Sequence, residues 1–309
     1  MQSSNDAPWY ATSGADAPAG REGWPSEVVP ADLEATPRGR RLSDLLARTE
    51  CADERELARI AFDTLCPRGQ DLRDAVERGW DAHGDGLAAV SPDVRFLDRT
   101  LRTWDGRADV GSEGMTVLFH LRRVTDLPWP VPGATLAASQ MRAYLEDLAK
   151  VAATMRACYA DDVPDPLRVP WGMIHFLERG GRRFPLAGGT IEIPALLMAH
   201  AKSEGGRDRM TSDGLVPCVA GSSFVHGHLL EREGRPGIVR DWAVTPVGQI
   251  DPAWWPRSPH VVDQTELYAR GQWAPLRLSR QEVEMTLCPH AGRADHEHPA
   301  RTTLRLRRP

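Results

Sequence analysis

Lysine is almost absent from this chain of 309 residues. It occurs only at Lys150 and Lys202, so arginine carries nearly all the positive charge. That bias reads as GC-rich codon usage rather than as function. Acidic residues outnumber basic ones, 43 to 38, for a net charge of −5, which disfavours broad nucleic-acid binding. No apolar run reaches the ~18 residues of a membrane-spanning helix, so no membrane partner is expected. The opening stretch, MQSSNDAPWYATSGADAPAG, lacks a basic start and an apolar run, and does not read as a signal peptide. The cysteines, Cys51, Cys66, Cys158, Cys218 and Cys288, are odd in number and widely spaced, with no C-x-x-C. Reduced thiols in a cytoplasmic protein are expected, with no disulfide and no nucleophilic cysteine. Also missing are a P-loop, a G-x-G-x-x-G opening a helix, G-x-S-x-G and H-E-x-x-H.

What is present is an ordinary globular composition, 41% hydrophobic and 26% charged. Residues 1–38 are rich in Pro, Gly, Ala and Ser and read as a mobile or extended arm. Residues 39–162 read as a helical unit. Asp53 and Glu56 make a capping pair ahead of Leu57, Ile60, Ala61 and Leu65. Ser91-Pro92 is a strong helix start. The longest helix is expected from Thr135 to Tyr159, with Met141, Leu145, Leu148, Ala152, Met155 and Tyr159 facing inward. Cys66, followed by Pro67, reads as a helix end.

Prolines in Asp162–Pro170 mark a change of texture. Residues 163–309 read as a hairpin-rich unit with a small basic tail. Trp171–Phe184 reads as strand, turn and strand; Pro194–Lys202 as a short helix; Phe224–Leu230 with Ile238–Thr245 as a second hairpin; Ser279–Leu287 as a last helix. The fold class is α+β, an N-terminal helical unit packed on a C-terminal unit of antiparallel hairpins.

Candidate chemistry concentrates in Gly221–Trp255. His226 and His228 lie two apart, so on a strand both rings leave one face. Phe224 and Leu230 share that face, which makes it at least half buried. Such a pair can hold a divalent metal or act as a general base. Glu233, Asp241, Asp251 and His260 are candidates for a third ligand or an orienting carboxylate. Cys218, a histidine and Asp241 or Asp251 also occur in papain-like order, but Cys218 has no helix N-terminus to lower its pKa and reads as a small buried thiol. A second cluster, Cys288, His290, Asp295, His296, Glu297 and His298, reads as a solvated loop with zinc binding as the sharper alternative. His83 reads as a helix C-terminal residue, with a ligand contact as the alternative, and His200 as a core histidine on a helix, with a heme or metal role as the alternative.

The segment from Phe224 onward resembles small bacterial papain-like domains, which carry V-E-G-Y, then H-A-W-V, then G-x-V-x-D-P-T-W. The counterparts are Val225-His-Gly-His228, Asp241-Trp-Ala-Val244 and Gly248-Gln-Ile-Asp251-Pro-Ala-Trp254. The resemblance covers about 90 residues. It implies that fold without thiol hydrolysis, because the family's catalytic histidine falls at Arg240 or Asp241 and its cysteine motif on Leu197–Ala201.

The reading is of an enzyme acting on a small molecule, with His226 and His228 as ligands or general base and Asp241 or Asp251 orienting them. Its alternative is a non-catalytic binding or assembly protein in which these residues form a buried polar network. Substrate, cofactor and oligomeric state are not legible.

Overall fold

The computed structural model describes residues 35–49, 53–87, 90–179, 181–222, 225–230, 238–244 and 259–287. Helices come first: α1 (Pro37–Ala47), α2 (Glu54–Ala61), α3 (Pro67–His83), α4 (Pro92–Arg102), α5 (Glu113–Val124) and α6 (Ala138–Tyr159). A single turn, α7 (Trp171–Ile174), leads into β1 (His175–Arg179) and β2 (Arg182–Pro185). Then come β3 (Ala199–Ala201), β4 (Ser203–Glu204), β5 (Arg207–Asp208), β6 (Val216–Gly221), β7 (Val225–Leu230) and β8 (Ile238–Val244). The last elements are α8 (Pro259–Ala269), β9 (Ala274–Pro275) and α9 (Arg280–Leu287). The expected arm lies outside these residues up to position 34, as does the basic tail.

Local chemistry starts the helices. Asp53 accepts the Glu56 N–H at 2.8 Å, and Ser91 accepts that of Val94 at 3.3 Å with Pro92 in the first turn. Ser279 and Glu282 cap α9 reciprocally, at 3.2 and 2.9 Å. Cys66 departs from expectation: it is the N-cap of α3, and Pro67 opens that helix. Proline has no N–H to lose in a first turn, so the same residue starts a helix as readily as it stops one.

The main core lies among α3, α4, α5 and α6. The inward row of α6, from Met141 to Tyr159, is buried as its spacing implies. Trp104 fills the gap between α3 and α5; a Cβ on Gly69 would come within 2.7 Å of its ring, and one on Gly114 within 2.4 Å. This core continues past the prolines into Trp171, Ile174 and Val216.

The strands form an α+β fold of mixed pairing. One sheet has the order β2-β1-β6-β3. Its β1 and β2 make the expected antiparallel hairpin, though Trp171–Ile174, expected as strand, is a helical turn, and β1 and β6 run parallel, with His175 opposite Val216. A second sheet has the order β7-β8-β9. Between them a second apolar cluster joins Leu177, Phe184, Trp242, Tyr268 and Trp273, and α2 adds Leu57, Ala61 and Phe62. Pro194–Lys202 is not a helix. Its N–H groups turn to tertiary acceptors: Leu197 to Asp63 O at 2.9 Å, Ala199 to Gly189 O at 3.2 Å and Ala201 to Asp208 Oδ1 at 2.7 Å. His200 therefore stands on β3 rather than on a helix.

Candidate functional site

β7 and β8 pair antiparallel, with Val225 opposite Val244, Gly227 opposite Trp242, His226 opposite Ala243 and His228 opposite Asp241. Alternation then separates two faces. Val225, Gly227 and Trp242 face the core, and the histidines leave the other side. Their rings meet edge to face, with centroids 3.8 Å apart and planes at 64°. His226 is half-buried and His228 exposed. Phe224 lies outside the described residues; on this face His226 and the buried Ala243 opposite it lie inward of the exposed His228. Trp273 stacks on Trp242 at 6.0 Å, and a Cβ on residue 227 would stand 2.7 Å from the Trp273 ring. Glycine at 227 is what lets that ring approach.

Register thus brings His226, His228 and Asp241 to one end of one sheet face. Asp251 and Glu233 lie outside the described residues, and His260 falls on α8. Among the described residues no group of three His, Cys, Asp or Glu side chains could hold a metal ion. A cleft of about 600 Å³ is lined by Asp53, Glu54, Arg55, Arg240, Gln272 and Trp273. Arg240 is an even-numbered neighbour of Trp242 on β8, so this cleft opens on the face opposite the histidines.

Cys218 sits inside β6, with Sγ 3.6 Å from Val216 O. Burial, then the charge of Asp208, pushes its thiol well above the usual range. Burial raises Cys66 in the same way, and Cys158 to a lesser degree. These three cysteines are free. None has the lowered pKa that a nucleophile needs. Cys51 and the Cys288–His298 cluster lie outside the described residues. His83 ends α3 as expected, and His200 Nδ1 is 3.1 Å from Ala201 O.

Three polar groups escaped the sequence reading. Asp63 is buried and receives Arg41 through two bonds, at 2.8 and 3.0 Å, and Arg107 at 3.2 Å. His120 Nε2 lies 2.9 Å from the Tyr159 hydroxyl, which donates to Gly214 O at 2.8 Å. The hydroxyl's one proton is thereby committed, so Nε2 is the protonated nitrogen of His120. Burial, then the charge of Arg123, lowers the His120 pKa to about 4. His175 is wholly buried between two carbonyls. Only partners distant in sequence distinguish these residues from solvated polar ones.

Helices feeding a mixed sheet and a hairpin sheet across shared apolar clusters define an α+β protein with no membrane-crossing helix among the described residues. The chain belongs to the penicillin amidase family, whose sequence pattern it matches over residues 1–285. It is similar to acyl-homoserine lactone acylase PvdQ of Pseudomonas savastanoi pv. phaseolicola, 24% identical over 262 residues, covering 79% of this chain and 30% of the relative. The PvdQ proteins of Pseudomonas syringae pv. syringae and pv. tomato are 23% and 24% identical over 265 residues each, again over 79% of this chain. The chain spans about 30% of the length of these relatives.

The papain-like resemblance is thereby corrected, since the family match takes in the segment that carried it. Its motifs were those of any hairpin with alternating burial. Trp242 and Val244 point inward because β8 alternates, and Gly227 is required by Trp273. None of these features is special to a thiol-hydrolase fold.

Proposed function

We propose that this chain takes part in hydrolysing an amide bond between an acyl group and a small amine, with N-acyl-homoserine lactones as the substrate class. The family match over most of the chain carries the reading, and the names of the PvdQ relatives supply the substrate class. In such a reaction water adds across the C–N bond. Its oxygen goes to the carboxylate, and the amine leaves with a proton. A base must relieve the attacking oxygen of its proton, and an acid must protonate the leaving nitrogen.

His226 and His228 are this chain's candidates for that proton traffic. A neutral imidazole accepts and returns a proton near neutral pH. His228 is exposed, so water reaches its ring, and the paired strands set the spacing of the two imidazoles. Asp241, opposite His228 in the register, is the carboxylate that would hold an imidazole's tautomer and steady its charged form; Asp251 is its competitor from the following segment. We prefer the acid–base role to a divalent metal, since among the described residues no group of three His, Cys, Asp or Glu side chains could hold one.

The test is release of free amine from an N-acyl-homoserine lactone by the wild-type chain and by His226→Asn and His228→Asn. Loss of one participating imidazole lowers kcat by about 10²–10⁴. Variants with unchanged kcat would remove the pair from the mechanism, and absence of amide cleavage by the wild type would remove the proposal.

A further inference from the structure

The segment between β2 and β3 leaves the sheet at Leu186 and rejoins it at Ala199, and both residues are wholly buried. The His175 side chain lies across the neck of this loop. Nδ1 is 3.0 Å from Leu186 O, and Nε2 is 2.8 Å from Ala199 O. Both partners are carbonyls, and a carbonyl only accepts. A neutral imidazole carries one N–H and can donate to one of them; an imidazolium donates to both. The neutral ring leaves a lone pair aimed at a carbonyl oxygen. The ring also stacks on Trp171, with centroids 4.4 Å apart and planes at 16°, a surface that favours a cation.

We propose that His175 is a protonation-dependent clasp on the 186–199 loop, holding one end when neutral and both ends when charged. The rest of the neck is built to respond. Trp171 Nε1 donates to Gly188 O at 3.1 Å, and Gly189 and Leu197 are joined by a backbone bond of 2.9 Å. The loop also reaches two polar anchors, since Leu197 N–H goes to Asp63 O at 2.9 Å and Ile191 N–H to Asp208 Oδ2 at 2.8 Å. Tightening the neck is therefore felt at Asp63, two residues beyond α2, and at Asp208 on β5.

Burial holds the His175 pKa below the usual histidine value, while the two carbonyls push against that shift. The clasp closes on the acid side of neutrality. Its charged neighbours among the described residues are few. From β3, His200 opposes it when protonated. From β5, Asp208 receives the Ala201 N–H next along β3. From β6, Cys218 is held neutral by burial, and α7 contributes the uncharged Trp171.

The experiment is a titration of the full chain with ¹⁵N-labelled histidine and ¹³C-labelled carbonyls, from pH 8 down to the onset of acid unfolding. His175 is expected to show one protonated nitrogen at the alkaline end and two at the acid end. The Leu186 and Ala199 carbonyl shifts should move with the same midpoint. Hydrogen exchange at Gly189 and Ala199, corrected for its intrinsic pH dependence, should slow several-fold across that midpoint. His175→Phe keeps a ring on Trp171 and should abolish the change in exchange. If that variant does not fold, the wild-type carbonyl shifts decide alone. A ring that keeps one tautomer throughout, or that titrates while the carbonyls and exchange stay fixed, would overturn the clasp.

Discussion

Replacing Asp63 with alanine is expected to be among the most damaging single changes to the helical half. Its carboxylate is 2% exposed and receives two bonds from Arg41, itself 13% exposed, and one from Arg107, 38% exposed. The two arginines do not count equally. The Arg107 contact is 3.2 Å long and open to water, which limits it to about 0–1 kcal/mol. The Arg41 fork is enclosed, and removing its carboxylate strands a guanidinium away from solvent at a cost of about 3–5 kcal/mol. The Asp63 main-chain bond to Leu197 survives the substitution, so the loss belongs to the side chain. Urea unfolding followed by circular dichroism measures it. Asp63→Ala should lower the unfolding free energy by about 3–5 kcal/mol, Arg107→Ala by no more than about 1. The double variant Asp63→Ala/Arg41→Ala should cost less than the sum of the singles, because the pair is lost only once. If Asp63→Ala cost about 1 kcal/mol or less, or if Arg107→Ala matched Arg41→Ala, the pairing argument would be refuted.

Other outcomes follow from single contacts. Gly227→Ala places a Cβ 2.7 Å from the Trp273 ring and should destabilise by about 1–3 kcal/mol in the same urea assay. Burial lowers the His120 pKa from 6.5 to about 4. The folded state therefore holds this group neutral, and its contribution is full above pH 6.5, declines as the pH falls and is gone by about pH 4. At 1.36 kcal/mol per unit that is about 3 kcal/mol, and a His120→Gln chain should show that much less acid sensitivity. Iodoacetamide on the native protein at neutral pH should leave Cys66 and Cys218 unlabelled for far longer than Cys158, as peptide mass spectrometry would show; rapid labelling of Cys218 would contradict its burial.

The parts of the fold written in short-range chemistry could be read from sequence. Ser91-Pro92 and Asp53 with Glu56 announce helix starts because the donors they satisfy are three residues away. The β7–β8 hairpin and the shared face of His226 and His228 follow from alternation alone. What failed depended on distant partners. The parallel pairing of β1 with β6 joins residues some forty positions apart, and nothing local specifies it. Pro194–Lys202 is apolar and too short for its period to separate helix from strand, so Asp63, Gly189 and Asp208 decide its backbone. His175 gave no signal, since its role lies in carbonyls eleven and twenty-four residues ahead.

The central proposal is that this chain takes part in hydrolysis at an acyl C–N bond. Incubating the purified protein with an N-acylated small amine in ¹⁸O-enriched water, and weighing the products by mass spectrometry, tests it most directly. The account predicts a free amine in equal amount to a carboxylic acid whose carboxylate carries one ¹⁸O from solvent. Recovery of the substrate with its acyl–nitrogen bond intact, whether unchanged or altered elsewhere in the molecule, would contradict it.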